Sequence, residues 1–200
     1  MPNFTAFLSY VVITTFTPGP NNIMSMSNAS RYGFKKSIFF NIGIFFGFFT
    51  IIALCSTFSV TLFRLLPSIK PIMAFIGAVY ILWLAWKTYK SDHHSEGNSD
   101  SNDKKKTNTF QAGFLLQFVN PKVILYGITT VSTFIVPYYR SVVVLAIFSA
   151  ILASVGFIAT CCWSLFGSVF QKLLVQNQKI INIVMALLLL YCAISLFLET

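Results

Sequence analysis

The sequence predicts an all-α integral membrane protein of six transmembrane helices, arranged as two inverted repeats of three helices each. Three observations support this fold class. The composition is 56% hydrophobic and only 10% charged, the uncharged stretches are long, and one polar segment divides them into two sets of three. Soluble domains carry about 25% charged residues, and a chain of 200 residues has too little polar sequence to cover six apolar helices. A lipid bilayer is therefore the expected partner of most of the surface.

The uncharged stretches give the six expected spans in order. They cover residues 1–30, 37–63, 71–86, 107–121 together with 123–139, 141–171 and 180–198. A spanning helix needs about 20 residues, and the shortest stretch can be extended because Lys70 and Lys87 at its ends can snorkel to the headgroups. No basic residue precedes the first apolar run, so we expect no cleaved signal peptide.

The basic residues between the spans predict the orientation in the membrane. With the N-terminus outside, ten lysines and arginines fall on the inner side and three, Arg64, Lys70 and Arg140, on the outer side. Positive loops favour the cytoplasm, so both termini are expected outside. This distribution accounts for the net charge of +9 without nucleic acid as a partner.

A polar segment, residues 91–109, separates the two repeats at 1–90 and 110–200. Its sequence, SDHHSEGNSDSNDKKKTNT, predicts a flexible linker on the cytoplasmic side. The linker contains His93 and His94 between Asp92 and Glu96. Clustered polar side chains in such a linker are usually only solvated, so we expect no metal site.

Two proline-containing breaks occupy corresponding positions of the two halves. The first expected span is interrupted at Pro18-Gly19-Pro20 and the fourth at Asn120-Pro121-Lys122. Proline leaves backbone groups unpaired, which in a bilayer only protein, water or a ligand can satisfy. Interrupted spans at matching positions of inverted repeats indicate the substrate site of a transporter. A small zwitterion fits, because its carboxylate suits a half-helix N-terminus and its ammonium suits freed carbonyls.

Polar residues follow each break at helical spacing. The first set is Asn21, Ser25 and Asn28, and the second is Lys122, Tyr126, Thr129 and Thr133. We interpret both stripes as cavity linings, with hydrogen bonding between helices as the alternative. The predicted substrate-binding residues are Pro18, Gly19, Pro20, Asn21, Asn22, Ser25, Asn120, Pro121, Lys122, Tyr126 and Thr129.

Lys122 is the only charged residue in the middle of an expected span. Such a residue is a functional candidate, which could hold a substrate carboxylate, carry a coupling proton or simply snorkel to an interface. No Asp or Glu lies in a span interior. A second positive charge on the substrate would therefore find no counter-ion, which favours a neutral or zwitterionic substrate.

Small and amide side chains elsewhere in the spans have packing roles as their default interpretation. Gly43 and Gly47 form a GxxxG motif, which predicts the close approach of another helix. Asn41 and Asn182 either hydrogen-bond between helices or line the transport path.

The chain resembles the amino-acid exporters of the lysine exporter and homoserine/threonine resistance family. The resemblance lies in TPGPNN (17–22), RYGFKKS (31–37), the two span-two glycines, GAVYILWLAWK (77–87) and FVNPK (118–122). It implies secondary active efflux across a bacterial inner membrane, coupled to the proton gradient, with neither a cofactor nor enzymatic activity. Segments 17–34, 116–134 and 182–197 are most similar to members that export cysteine and O-acetylserine. Alternating access, with the halves rocking around the breaks, is the expected mechanism.

Other functions stay open. Homoserine, threonine or another neutral amino acid could be the substrate, and a homodimer is neither indicated nor excluded. A more remote alternative is a membrane thiol oxidoreductase, which needs two thiols that approach each other. All four cysteines lie in expected spans, but none is within thirty residues of either break. They are therefore expected to be small packing residues.

Overall fold

The computed structural model of the chain describes residues 4–90, 108–170 and 178–198, and the side chains of most of them. All regular secondary structure in these ranges is helical, as predicted. The linker histidines lie outside the described residues, as do most of residues 91–109.

The described ranges form helices in every expected span, and one of these helices, Phe34–Tyr89, covers the two expected spans 37–63 and 71–86. They are α1 (Phe4–Phe16), α2 (Pro20–Tyr32), α3 (Phe34–Tyr89), α4 (Phe110–Val119), α5 (Pro121–Thr130), α6 (Val142–Val169) and α7 (Gln178–Leu198). A π-helical turn, Val131–Ile135, continues α5.

Both predicted breaks are present. The first separates α1 from α2 and the second separates α4 from α5, with a bend of 65° between the second pair. Each following half-helix begins with a proline, Pro20 or Pro121, at its first position. Proline is favoured there because the first N–H of a helix has no partner in the helix anyway.

By length and composition, only some of the described helices qualify as membrane spans. Phe34–Phe58 and Val142–Val169 are long and apolar enough to cross a membrane, and the bent pair Phe110–Val119 with Pro121–Ile135 makes a third candidate. Phe4–Phe16 and Ile183–Ile194 are shorter apolar helices. A kink at Phe58, where φ is −106° and ψ is 16°, divides α3. The backbone stays helical through residues 64–70, where the spacing of charges predicted an outer loop.

The polar helix α2 lies inside the protein. Its buried residues include Asn22, Ser25, Ser27, Asn28 and Ser30. Exposing these polar side chains to hydrocarbon would cost free energy, and the neighbouring helices shield them from it. Large apolar side chains on α1, α6 and α7 are exposed instead, which suits contact with lipid.

The broken helices pack across the two halves. The half-helix α2 contacts α6, and its counterpart α5 contacts α3. The helices α3 and α4 meet at glycines, because a Cβ on Gly43 would overlap the Phe110 carbonyl and one on Gly113 would overlap the Phe40 carbonyl. This close approach confirms the packing role predicted for the GxxxG motif.

Two clusters of buried side chains stabilise this arrangement. One joins α2, α3, α4 and α7 through residues such as Ile23, Phe40 and Leu189. The other joins α1, α3, α5 and α6 through Phe7, Phe48 and their neighbours. The two breaks lie between these clusters.

Candidate functional site

The carbonyls at the end of α1 receive hydrogen bonds from side chains. A helix C-terminus leaves four carbonyls without helical donors, and in a membrane protein these need partners. The Asn22 amide nitrogen donates to the Thr15 and Thr17 carbonyls, each at 2.9 Å. The Trp163 indole, on α6, donates to the Phe16 carbonyl at 3.2 Å. The first break is therefore stabilised by groups from within the protein.

Lys122 connects the two breaks directly. Its Nζ donates to the Thr17 carbonyl at 3.0 Å, to the Thr17 hydroxyl at 2.9 Å and to the Pro18 carbonyl at 3.3 Å. The Thr17 hydroxyl in turn donates to the Thr14 carbonyl at 2.9 Å. These contacts match the three N–H donors of an ammonium group. The lysine that follows the second break thus binds the backbone of the first.

An amide network joins the same two breaks. The Asn21 amide nitrogen donates to Gln117 Oε1 at 2.8 Å, and its Oδ1 accepts from Gln117 Nε2 at 3.1 Å and from Asn120 Nδ2 at 3.0 Å. Asn120 Oδ1 also accepts from the Lys122 N–H at 3.2 Å, which caps α5. Gln117 and Asn120 are almost fully buried. Buried networks of this kind fix the geometry of a site when all members are satisfied.

A small cavity, here called the inner cavity, opens beside this network between α1, α2, α3, α5 and α6. Its volume is about 40 Å³, and since one ordered water needs about 10–15 Å³, it holds about three waters. The polar side chains that line it are Thr14, Thr15, Asn21, Asn22, Asn120, Lys122, Tyr126 and Thr160. Phe48, Val123 and Gly156 provide an apolar side.

The first turns of both half-helices border the inner cavity. Gly19 to Asn22 belong to the start of α2, and Asn120, Lys122 and Val123 belong to the start of α5. The first N–H groups of a helix carry partial positive charge and point along its axis. Two such ends beside the Lys122 ammonium make this region favourable for an anionic group.

A larger cavity, here called the outer cavity, adjoins the inner one and has a volume of about 450 Å³. It lies between α1, α3, α5 and α7. Five residues line both cavities and so form the boundary between them: Thr14, Gly19, Pro20, Lys122 and Tyr126. The Tyr126 ring stacks on Tyr10 with ring centroids 5.8 Å apart. Its hydroxyl interacts with the Thr15 and Thr130 side chains, although these contacts fall short of full hydrogen-bond geometry.

Most of the predicted site residues meet at these cavities. Those that line one or both are Pro18, Gly19, Pro20, Asn21, Asn22, Asn120, Lys122 and Tyr126. Ser25, Pro121 and Thr129 line neither. Ser25 is fully buried, and its carbonyl accepts from the Ser164 hydroxyl at 3.2 Å.

Helical spacing predicted that both polar stripes would line a cavity along their whole length. In the structure the last residue of each stripe lines neither cavity. Asn28, at the end of the first stripe, is buried but lines neither cavity, and Thr133, at the end of the second, is exposed. Thr133 lies in the π-helical turn, where the α-helical periodicity used for the prediction no longer applies. Asn41 donates to Ser164 Oγ at 2.9 Å, so it connects helices rather than lining either cavity. The side chain of Asn182 is not among those that the structure describes.

Sequence reasoning missed several residues that line the inner cavity or belong to the amide network. Thr14 and Thr15 precede the first break, and the three threonines among residues 14–17 could have indicated a polar lining there. Gln117 lies three residues before Asn120, a helical spacing that could have placed both on one face. Thr160 comes from a long apolar helix and had no sequence pattern that pointed to it.

One cysteine lies beside the first break, contrary to the inference from sequence separation. Cys192 Sγ is 4.0 Å from the Pro18 carbonyl oxygen, and the residue lines the outer cavity. Cys192 and Pro18 are 174 positions apart in the sequence, but they are close in space because α7 packs against α2 and α3. The four cysteines are not joined in disulfide bonds, and Cys55 lies elsewhere, against Gly127.

Comparison with known proteins gives the family. A family model described as "LysE type translocator" matches residues 12–200. The chain belongs to this translocator family. Three relatives, each called a cysteine/O-acetylserine efflux protein, are 41% identical over 192 residues and 96% of both chains. They come from Escherichia coli K12, E. coli O139:H28 (strain E24377A) and Shigella flexneri serotype 5b (strain 8401). No solved structure matches the translocator.

Proposed function

We propose that this translocator exports small neutral amino acids, with cysteine and O-acetylserine as its first substrates, across the bacterial inner membrane. The observation that carries the proposal is the meeting of two half-helix N-termini and the Lys122 ammonium at one cavity. Helix N-termini and a lysine are suited to a carboxylate. The efflux proteins that share 41% identity with the chain support the choice of substrate.

The inner cavity suits both ends of a zwitterion. The substrate carboxylate lies against the first N–H groups of α2 and the Lys122 ammonium, beside the positive end of the α5 dipole. The hydroxyls of Thr14, Thr15 and Thr160 offer acceptors for the ammonium group. Once side chains have moved to admit a substrate, the apolar side at Phe48 and Gly156 would leave room for only a short side chain, because the volume is small.

The contacts between the breaks support alternating access as the mechanism. Lys122 bonds to three neutral oxygens of the first break, and a substrate carboxylate offers it a stronger, charge-assisted hydrogen bond. If Lys122 exchanged these oxygens for the substrate carboxylate, the segment 17–19 would be released and the two halves could rock. In this proposal export is driven by the proton gradient.

The membrane arrangement completes the proposal. Six spans form two inverted repeats, and the broken helix of each repeat packs against the second long helix of the other, α2 on α6 and α5 on α3. Contacts that occur in such matched pairs are what a pseudo-twofold axis in the membrane plane requires. Both termini lie outside, and the 91–109 linker lies in the cytoplasm.

Transport from reconstituted vesicles tests this function. Vesicles loaded with labelled cysteine, O-acetylserine, threonine or leucine are given a pH gradient, and substrate loss is followed over time. We expect cysteine and O-acetylserine to leave fastest, and a protonophore to abolish the effect of the gradient. Loss of threonine alone would indicate a homoserine/threonine exporter, and no movement of any substrate would contradict the proposal.

Two sets of variants separate transport from other functions. Lys122→Ala, Pro18→Ala and Pro121→Ala should lower export more than expression, because these residues form the breaks. Equal loss of both would favour a purely structural role. A variant with alanine at Cys55 and serine at the other three cysteines should still export, whereas complete loss would support thiol chemistry.

A further inference from the structure

We infer that the outer cavity is a second substrate position on the transport path, where the amino acid is held next to the break before or after it occupies the inner cavity. This inference rests on the proposed export function. It adds α7 to the substrate path, through Cys192, Tyr191 and Leu188. No sequence pattern pointed to a site on α7.

The relative sizes of the two cavities support a second position. The inner cavity has a volume of about 40 Å³ and the outer one about 450 Å³. The inner cavity has room for only about three waters, and a free amino acid is bulkier than that, so side chains must move before it enters. The outer cavity accommodates an amino acid without any such movement.

The boundary between the cavities has the groups needed to transfer the substrate. Lys122, Gly19 and Tyr126 line both sides. A lysine ammonium on its flexible stem can follow a carboxylate over a few ångströms. Gly19 leaves space for that movement, since a Cβ there would lie 3.0 Å from Lys122 Nζ. The carboxylate can therefore stay on Lys122 while the rest of the molecule passes from one cavity to the other.

The lining of the outer cavity favours a small polar ligand over a lipid chain. The Thr17 hydroxyl, the Pro18 carbonyl and the Lys122 ammonium meet there. Hydrocarbon would leave these groups in an unfavourable medium. The aliphatic residues Ile13, Ile81, Leu125 and Leu188 also line the cavity and can contact the substrate side chain.

Cys192 is well placed to determine specificity at this position. It is 8% exposed, lines the outer cavity, and its Sγ lies 4.0 Å from the Pro18 carbonyl oxygen. The Lys122 ammonium is close enough to interact with it electrostatically. A substrate whose carboxylate is on Lys122 would therefore have the Cys192 side chain within reach.

Protection of this thiol tests the inference. In a variant with Cys55→Ala, Cys161→Ser and Cys162→Ser, Cys192 is the sole cysteine, and its alkylation by N-ethylmaleimide is followed by mass spectrometry in vesicles. O-acetylserine is the probe, because it carries no thiol that would consume the reagent. We expect it to slow labelling several-fold, whereas equal concentrations of acetate should have no effect.

A matched variant retains only Cys162, which is exposed on α6 and lines neither cavity. Its labelling should not respond to O-acetylserine. If the Cys192 variant exports O-acetylserine but shows no protection, the second position is excluded while the export function stands. A Cys192 thiol that reacts only after denaturation would also overturn the inference, because the cavity would then be closed to solutes.

Side-chain size gives an independent measurement. Cys192→Phe should raise the KM for export about tenfold, equivalent to about 1.4 kcal/mol, because the ring fills the cavity beside Lys122. The control is Ile194→Phe, at an exposed position of the same helix. An unchanged KM in a well-folded Cys192→Phe variant would contradict the inference.

Discussion

Single side chains make the first break compatible with a membrane interior. Asn22, Trp163 and Lys122 each donate to carbonyls that α1 leaves without helical partners. Of these, Asn22 and Lys122 also line the inner cavity. The groups that stabilise the break are therefore partly the groups that would contact a substrate.

The close contact between Gly19 and Lys122 makes the first residue-level prediction. In Gly19→Ala the new Cβ would lie 3.0 Å from the Lys122 Cδ and Nζ atoms, which belong to a flexible side chain. The lysine can move, so folding should be unaffected, but its bonds to the first break are displaced. Gly19 has an extended backbone that alanine also adopts. Export should fall by about tenfold, equivalent to about 1.4 kcal/mol, in the vesicle assay.

Normal expression and melting temperature in detergent should accompany that loss. Full export by Gly19→Ala would show that the position of Lys122 does not matter for transport. A misfolded variant would show that the contact is structural instead.

The buried amide network makes a second prediction. Gln117→Leu removes two hydrogen bonds with Asn21, one donated by Gln117 Nε2 and one accepted by Gln117 Oε1. Interhelical hydrogen bonds in membranes contribute about 1–2 kcal/mol. We expect a lower melting temperature in detergent and reduced export, because Asn21 loses its fixed orientation. Gln111→Leu, at an exposed position of the same helix, should change neither. Equal melting temperatures for both variants would contradict a structural role for the network.

Among the elements, the two broken helices differ in how their carbonyls are satisfied. Side chains satisfy those of α1. At the end of α4, Pro121 offers no N–H, and the N–H groups of Lys122 and Val123 bond to Asn120. The carbonyls of residues 117–119 therefore lose their usual intrahelical donors.

Helix contact at glycine makes an element-level prediction. A Cβ on Gly43 would overlap the Phe110 carbonyl and lie 3.0 Å from the Phe114 nitrogen, and backbone cannot move aside as a side chain can. Gly43→Ala should separate α3 from α4, with an overpacking cost of about 1–3 kcal/mol. The expected result is poor expression and a lower melting temperature.

The control is another helical glycine. Gly156→Ala would meet only the Phe48 ring, at an ordinary 3.9 Å, so its folding should be unaffected. If the two variants were equally stable, close backbone contact would not be what holds α3 and α4 together.

Sequence patterns predicted the elements better than their contacts. Proline and glycine chemistry is local, so both breaks and the proline starts of α2 and α5 could be predicted. The GxxxG motif likewise predicted a close helix contact. The roles of Gln117, Thr160 and Cys192 depend on which helices become neighbours, and no local pattern specifies that. The prediction of an outer loop near residues 64–70 was wrong, because charge spacing does not fix where a helix bends. The kink in α3 lies at Phe58 instead.

For the whole molecule, the proposed inverted repeat would relate fold to transport. Each half contributes one break, and the Lys122 side chain of one half binds the backbone of the other. A movement of one half relative to the other must therefore change this contact. Rigid-body rocking with a central site is the general mechanism for such repeats.

The last prediction concerns membrane topology, which the inverted repeat requires. Six spans with an outer N-terminus place the 91–109 linker inside and the C-terminus outside, in agreement with ten basic residues on the inner side and three on the outer side. An alkaline phosphatase fusion, active only outside the cytoplasm, should be inactive after residue 100 and active after residue 200. A green fluorescent protein fusion should give the opposite pattern. If both phosphatase fusions were active, an even number of spans would separate the two sites, and two inverted three-helix repeats would be impossible.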